Sequence, residues 1–175
     1  RSGLTYSSFH DGPIQPAYDA ALGGQIDSHV APDDWIAALA GLPLIDQPGA
    51  GFHYGNSTDL LGFLIARIEG EPLGAVLMRR IFEPLGMTDT GFFVQADKAH
   101  RRAQMYGFNA DGGLVPKPGG AGSAGAVVPD RTTATPYEAG SGGLWSTLDD
   151  YLAFARLFIG DGAVATGGFI ALARA

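Results

Sequence analysis

The sequence predicts an α+β fold in which helices dominate and strands are few. Four segments carry helix-forming patterns, and one turn-forming run, Asn109–Gly112, lies between two short segments, 103–108 and 113–116, that can pair as a β-hairpin. Hydrophobic residues make up 46% of the chain, which is enough for a buried core. The four predicted helices lie at 33–40, 57–69, about 72–82 and 147–159.

The composition argues against several functions. The net charge is −7 and the chain has only two lysines, Lys98 and Lys117, whereas nucleic acids are bound mainly by clustered basic side chains. The same shortage argues against a basic membrane-binding face, and no apolar run approaches the roughly 20 residues of a transmembrane helix. The chain has no cysteine, which excludes disulfides and thiolate catalysis. We therefore expect neither nucleic acid nor membrane among its partners.

The first predicted helix, at 33–40, follows an N-terminal stretch, residues 1–31, that is predicted to be irregular. Asp33 and Asp34 lie in its first turn, where negative charge favours the positive end of the helix dipole, and Gly41 ends it. We interpret these two acids as helix-terminal charges rather than as a catalytic pair. The apolar stripe of this helix is formed by Trp35, Ile36 and Leu39.

The strongest helical pattern covers 57–69 and ends at Gly70. A second helix is predicted directly after it, at about 72–82, because Pro72 suits the first turn of a helix. The residues predicted to face the core are Leu60, Leu61, Leu64, Ile65 and Ile68 in the first of these helices and Leu73, Val76, Leu77 and Ile81 in the second.

The last predicted helix covers 147–159, after a loop at 117–136 that is rich in glycine, proline and alanine. Thr147 can cap this helix, and Asp149 and Asp150 favour its N-terminal end. The residues predicted to face inward are Leu148, Leu152, Ala155 and Phe158 or Ile159, and Gly160 is predicted to end the helix.

Several catalytic motifs do not occur in the chain. A Ser-x-x-Lys motif would place serine at position 95 or 114, where the chain has Gln95 and Leu114. Gly-x-Ser-x-Gly is not present either, and no two histidines have a metal-ligating spacing, so we expect no metal and no cofactor. The remaining charged candidates are interpreted as structural or solvated groups: His53, Arg79, Arg80, Arg101 and Arg102.

One tripeptide, Tyr54-Gly55-Asn56, is able to carry chemistry. It follows a loop rich in proline and glycine, precedes the strongest helix, and is the only Tyr-x-Asn in the chain. If the tripeptide is extended, the side chains of Tyr54 and Asn56 point the same way and face one cavity. The alternative from the residues alone is a half-buried tyrosine followed by a helix-capping asparagine.

A tyrosine in such a cavity can act as a general base. A phenol with the ordinary pKa of about 10 is a poor base at neutral pH, but a neighbouring ammonium group favours the phenolate. The phenolate can then take the proton of a serine hydroxyl while the serine oxygen attacks a carbonyl. Asn56 would offer its amide to orient this base or to hold the substrate.

Five segments match a family pattern in order and with plausible spacing. Ser2-Gly3-Leu4 matches the end of H-x-S-G-L, and Pro48–Ser57 matches P-G-x-x-[FW]-x-Y-[SG]-N. Leu61–Gly70 matches the helix that follows, Ile81–Thr90 matches I-F-x-P-L-G-M-x-x-T, and Gly140–Tyr151 matches G-x-G-G-L-x-S-T-x-x-D-Y. With these segments the chain resembles the serine β-lactamase-like superfamily, in particular class C β-lactamases and family VIII carboxylesterases.

The resemblance implies a β-lactamase/transpeptidase-like fold, with a helical lobe beside an antiparallel sheet flanked by helices. Residues 1–139 would form most of the helical lobe, and residues 140–175 would return into the α/β lobe. It also implies hydrolysis of ester, amide or β-lactam bonds through an acyl-enzyme, with a serine nucleophile and a lysine partner. Tyr54 matches the family's catalytic tyrosine, and Asn56 matches its substrate-binding asparagine.

The departures from the family pattern lie at both ends. By the resemblance, the Ser-x-x-Lys motif belongs upstream of Arg1 and the third motif, Lys-Thr-Gly or a Trp/His-x-Gly variant, downstream of Ala175. We therefore expect an internal fragment, inactive alone, whose partners are the missing N- and C-terminal segments and a small acyl ester or β-lactam-like substrate. Two alternatives remain: a non-catalytic relative that binds a ligand or peptide, and a purely structural helical module.

Overall fold

Helices form most of the regular structure. The computed structural model describes residues 1–6, 12–22, 30–104, 106–116 and 132–159. Helices α1 to α6 lie at Ile14–Leu22, Pro32–Ala40, Ser57–Glu69, Leu73–Leu77, Glu83–Leu85 and Leu148–Ile159. A π-helical turn at Met78–Phe82 joins α4 to α5, a 3₁₀ helix covers Ala96–Arg101, and strands β1 and β2 lie at Tyr106–Phe108 and Leu114–Pro116.

The predicted hairpin is confirmed, with strands shorter than the segments predicted for them. Strands β1 and β2 are antiparallel, and Gly107 lies opposite Val115. The side-chain carbonyl of Asn109 accepts hydrogen bonds from the backbone N–H of Asp111 at 3.1 Å and of Gly113 at 2.6 Å. Asn109 therefore closes the loop with its own side chain, as asparagine commonly does in turns.

Helix α1 shows that the prediction of an irregular stretch over 1–31 was wrong. Pro16 lies in its first turn, where the N–H that proline lacks has no partner within the helix. Tyr18 and Leu22, four residues apart, are both buried. The helix was missed because glycine and proline on either side suggested turns. Part of the predicted irregular stretch, residues 7–11 and 23–29, lies outside the described residues.

The main core lies where α1, α2 and α3 meet around three aromatic rings. The ring of Phe63 lies 5.2 Å from that of Trp35 and 5.2 Å from that of Tyr137, in edge-to-face geometry. Tyr18 donates its hydroxyl to the carbonyl of Pro43 at 3.0 Å. The bounds of α2 agree with the predicted 33–40, and Trp35 and Leu39 are buried as predicted.

Helix α3 has the predicted bounds, but the face predicted to be buried was wrong. Asp59, Gly62 and Phe63 are buried, whereas most of the predicted apolar stripe is exposed. The backbone at Gly140 packs against the small side of the helix at Gly62: a Cβ on Gly140 would lie 2.1 Å from the carbonyl oxygen of Thr58. The exposed apolar residues of α3 are Leu61, Leu64, Ile65 and Ile68, with Leu60 partly buried.

The helical run after α3 extends further than predicted. Leu73 and Val76 are buried as predicted, while Leu77 and Ile81 are half-buried. The chain continues through the π-helical turn into α5 and ends only at Gly86, whose φ of 69° is the left-handed conformation favoured by glycine.

Helix α6 has the predicted start, but its predicted inward face was wrong. The hydroxyl of Thr147 accepts the backbone N–H of Asp150 at 3.3 Å, so the predicted cap is confirmed. The buried residues of α6 are Asp150 and Leu157. Leu148, Leu152, Phe158 and Ile159 are exposed, Ala155 is half-buried, and Gly160 lies outside the described residues.

The side of α6 with Asp150 is buried because Asp150 attaches the helix to the loop before the 3₁₀ helix. Its carboxylate accepts the backbone N–H of Asp89 at 2.8 Å and the hydroxyl of Thr90 at 2.8 Å.

Across the described residues, no helix has the length and apolar character needed to cross a bilayer.

Candidate active site

Tyr54 lies on the segment that leads into α3, beside the N-terminal segment of the chain. Its backbone carbonyl accepts the N–H of Tyr6 at 3.3 Å, and the two tyrosine rings have centroids 5.5 Å apart with planes at 58°. The residue is 59% exposed. The structure therefore gives Tyr54 an anchored backbone and a phenol that solutes can approach.

Asn56 lies at the start of α3, but its side chain does not cap the helix. Its amide nitrogen donates to the carbonyl of Thr5 at 2.7 Å, and the residue is buried, at 7% exposure. The two predicted site residues thus differ: Tyr54 presents its side chain to solvent, and Asn56 directs its amide nitrogen at the backbone of the N-terminal segment.

Gly55 allows this arrangement because it lies against the backbone of Thr5. A Cβ on Gly55 would lie 2.3 Å from the Cα atom of Thr5, far inside van der Waals contact. The absence of a side chain at Gly55 therefore allows the backbone of the N-terminal segment to pack against it.

The N-terminal segment is tied to the rest of the site along most of its length. The carbonyl of Arg1 accepts the N–H of Gly49 at 2.8 Å, and the carbonyl of Gly3 accepts the N–H of Ile45 at 2.9 Å. The hydroxyls of Ser2 and Ser57 lie 2.6 Å apart in a hydrogen bond. Residues 1–6 and 54–57, which belong to separate motif segments, are thereby brought together.

A buried carboxylate, Asp59, lies beneath this site and was missed by the sequence reasoning. It is 2% exposed; one of its oxygens accepts the hydroxyl of Tyr6 at 3.0 Å. The other accepts the backbone N–H of Ser141 at 3.1 Å and the Ser141 hydroxyl at 2.6 Å. The available signal was an acidic residue within an apolar helix, five positions after Tyr54.

Two tyrosines around Asp59 have a raised pKa. Burial raises the pKa of Tyr6 to about 12, and the charge of Asp59 and its hydrogen bond contribute to the rise against a hydrogen bond with Ser141. Burial, followed by the charge of Asp59, also raises the pKa of Tyr137. Tyr6 is therefore a protonated donor at neutral pH and not a base.

The other charged candidates have partners of their own, and the guanidinium of Arg102 lies over the ring of Trp145, 5.7 Å from its centroid. A nitrogen of His53 lies 3.3 Å from a carboxylate oxygen of Asp46. In the described part of the chain, no group of three or more acidic or histidine side chains is placed to hold a metal ion. Three of the arginine candidates pair with acids: Arg79 and Arg80 with Glu69, Arg79 also with Glu71, and Arg101 with Asp89.

Together, the helices, the two-stranded sheet and a Tyr-x-Asn motif at the start of a helix fit a part of the β-lactamase/transpeptidase-like fold. A sequence model of the family described as Beta-lactamase matches residues 1–174. The chain belongs to this beta-lactamase family, which confirms the predicted family and fold class.

The relatives are longer than this chain. An uncharacterized protein of Mycobacterium tuberculosis is 42% identical over 163 residues, which cover 93% of this chain and 37% of that protein. Esterase EstB of Burkholderia gladioli is 33% identical over 127 residues, covering 69% of this chain and 32% of the esterase. The structure of EstCE1, a hydrolase with promiscuous acyltransferase activity, matches with a TM-score of 0.71 at 25% identity, covering 89% of this chain and 42% of EstCE1. The chain thus spans less than half the length of each.

Proposed function

We propose that this chain is part of a serine hydrolase that cleaves ester bonds, or related amide or β-lactam bonds, through an acyl-enzyme. In this proposal Tyr54 is the general base. The nucleophilic serine and its lysine belong to polypeptide outside these 175 residues. The observation that carries the proposal is the exposed phenol of Tyr54 on a backbone held by Tyr6.

The contacts of Tyr54 suit a base that must keep a reproducible position. Proton transfer requires the base within hydrogen-bond distance of the attacking hydroxyl, so its backbone must be held while its phenol stays accessible. The backbone bond from Tyr6 and the bond from Asn56 to Thr5 hold the chain on both sides of Gly55. Because the Asn56 amide is bound to Thr5, its contacts favour a role in orienting the base over direct contact with substrate.

The substrate in this proposal is a small acyl ester. An esterase and a hydrolase with acyltransferase activity among the relatives support ester chemistry over β-lactam chemistry. An acyl-enzyme can be attacked by water or by another alcohol, so hydrolysis and transesterification would share the same first step. No cofactor enters this mechanism.

The experiment compares Tyr54→Phe with Tyr106→Phe in the intact protein that contains this chain. Tyr106 is a similarly exposed tyrosine, at 54%, on the hairpin. With p-nitrophenyl acetate as substrate, Tyr54→Phe should lower kcat by about 10²- to 10⁴-fold, the range expected for loss of a general base, and Tyr106→Phe should leave it unchanged.

Intact mass after treatment with a fluorophosphonate probe tests the acyl-enzyme directly. A single adduct on a serine outside these 175 residues supports the proposal. If the intact protein forms no adduct and hydrolyses no ester, yet still binds an acyl ligand, the non-catalytic alternative replaces it. If Tyr54→Phe is fully active, the base is another residue.

A further inference from the structure

Tyr6 contacts Tyr54 through both its backbone and its ring. The N–H of Tyr6 donates to the carbonyl of Tyr54, and the ring of Tyr6 lies 5.5 Å from the ring of Tyr54. One residue therefore borders both the main chain and the side chain of the proposed base. A movement of the Tyr6 ring would change the space available to the Tyr54 phenol.

The Tyr6 ring is itself held in place by a hydrogen bond from its hydroxyl to Asp59. Its hydroxyl, which has a single proton to donate, donates to the buried carboxylate of Asp59 at 3.0 Å. That carboxylate is in turn bound by the backbone N–H and the hydroxyl of Ser141. The connection runs from Ser141 through Asp59 and Tyr6 to Tyr54, and each link is a direct contact.

Burial of the Asp59 carboxylate at this position costs free energy that an apolar side chain would not cost. Burying an ionised group is unfavourable unless hydrogen bonds compensate for the lost water, and an apolar side chain of similar volume is often at least as stabilising. Asp59 is 2% exposed and receives three hydrogen bonds, two from Ser141 and one from Tyr6. Orientation of its donors is a benefit that an apolar residue at position 59 would not provide.

We propose that Tyr6, held by Asp59, is a positioning residue that sets the location of the Tyr54 phenol. This inference rests on the proposed function of Tyr54 as the base. The two neighbouring phenols then have different roles. Tyr6 keeps its proton and donates it in a hydrogen bond to Asp59, while the exposed Tyr54 accepts the proton of the hydroxyl that attacks the substrate. Misplacement of a catalytic group by about 1 Å can lower a rate about 10²-fold, so loss of the Asp59 link should appear in kcat.

The test uses Tyr6→Phe and Asp59→Asn in the intact protein, with Tyr18→Phe as the matched control. Tyr6→Phe keeps the ring beside Tyr54 and removes the hydrogen bonds of the hydroxyl with Asp59 and Ser141. Asp59→Asn keeps the shape of the side chain. Tyr18→Phe also removes a hydroxyl hydrogen bond, the one to Pro43, but in the main core. A purely structural role for Tyr6 would give the same pattern as this control.

We expect Tyr6→Phe and Asp59→Asn each to lower kcat by about 10- to 100-fold, with KM changed less than threefold. The double variant should be no worse than the poorer single variant, because both substitutions break one link. Tyr18→Phe should lower the Tm while leaving kcat unchanged. Folded Tyr6→Phe and Asp59→Asn proteins with the kcat of the wild type would overturn the inference.

The same set of variants separates this inference from the proposed function. If Tyr54→Phe is inactive and Tyr6→Phe is fully active, only the positioning role of Tyr6 is contradicted. If Tyr54→Phe is fully active, Tyr54 is not the base, and both its proposed role and the positioning role of Tyr6 are contradicted.

A readout without catalysis covers variants or conditions in which activity is lost for other reasons. In protein labelled with ring-¹³C tyrosine, the signal absent from Tyr54→Phe identifies the Tyr54 ring. We expect a nuclear Overhauser contact between the Tyr6 and Tyr54 rings that weakens in Asp59→Asn and persists in Tyr18→Phe. An unchanged contact and an unchanged Tyr54 shift in Asp59→Asn would contradict the proposal.

Discussion

Gly55 is the residue on which the geometry around Tyr54 depends most directly. A Cβ at this position would lie 2.3 Å from the Thr5 Cα atom, a backbone atom that cannot rotate away. Gly55→Ala should therefore force the two segments apart and lower the free energy of unfolding by about 1–3 kcal/mol, as overpacking typically does. It should also lower the ester hydrolysis that we propose for the intact protein, because the backbone that holds Tyr54 moves.

The matched control for this prediction is Gly12→Ala. A Cβ on Gly12 would meet no atom within 4 Å, and the residue does not require a positive φ. Urea unfolding of both variants gives the comparison, with Gly12→Ala expected within about 0.5 kcal/mol of the wild type. Equal stability of the two variants would show that the approach of Thr5 to Gly55 is looser than the structure indicates.

We expect Tyr137 to make the stability of the folded protein sensitive to alkaline pH. Burial and the charge of Asp59 raise its pKa in the folded protein above the value of about 10 for an unfolded chain. The folded state thus keeps this proton at pH values where the unfolded state has lost it. Its contribution to stability is complete below about pH 10 and is lost as the pH rises through the folded pKa.

Replacement of the phenol should therefore flatten the alkaline loss of stability. Tyr137→Phe keeps the ring that packs on Phe63 and removes the hydroxyl whose proton is lost at alkaline pH. Tyr106→Phe, on the exposed hairpin, should leave the dependence of stability on pH unchanged. Urea unfolding at several values between about pH 9 and pH 11.5 measures the slope. An unchanged slope in Tyr137→Phe would mean that its hydroxyl is solvated like that of an unfolded chain.

At the level of residues, the sequence predicted one part of the site and missed another. Tyr54 and Asn56 were found because the tripeptide stands just before a strong helix and matches a family motif. Their catalytic and binding roles remain predictions. Tyr6 was not found, because its partners Tyr54 and Asp59 lie about fifty positions along the chain, and a single sequence shows no pairing between such distant residues.

At the level of secondary-structure elements, boundaries were easier to predict than buried faces. The bounds of α3 and the start of α6 agree with prediction because their boundary residues, Gly70 and Thr147, act locally. The predicted faces of α3 and α6 were wrong because an apolar period cannot show which side of a helix its neighbours cover, whereas Trp35 of α2 is buried as predicted. In α3 the covered side is the one with Gly62, where the approaching element is a backbone.

The attachment of α6 through Asp150 gives a prediction at this scale. The carboxylate is 8% exposed and accepts bonds from the Asp89 N–H and the Thr90 hydroxyl. Asp150→Ala leaves both donors without this acceptor, so we expect a loss of about 2–3 kcal/mol in the free energy of unfolding. Asp149→Ala, at an exposed neighbouring position, should cost less than about 0.5 kcal/mol in the same urea experiment. Similar losses for the two would mean that helix-end charge, not attachment to the loop, explains the acidic pair.

At the level of the whole molecule, the described residues include many exposed apolar side chains on two helices. Exposed side chains form one stripe on α3, including Leu61 and Ile68, and another set on α6, including Leu148 and Ile159. Contiguous exposed apolar patches usually mark surfaces that another part of a protein covers. The predicted division into lobes at 139/140 would place these two helices in different lobes; that division remains a prediction.

The stripe on α3 provides the last prediction, since the relatives are more than twice as long as this chain. We expect further polypeptide of the intact protein to cover the stripe around Ile65. Ile65→Lys should then lower the free energy of unfolding of the intact protein by about 2–3 kcal/mol, because a charge would be buried without a partner. Ala37→Lys, at an exposed apolar position of α2, should change it by less than about 0.5 kcal/mol. If urea unfolding shows both substitutions to be equally harmless, the α3 stripe faces solvent in the complete protein, and its apolar residues need another explanation.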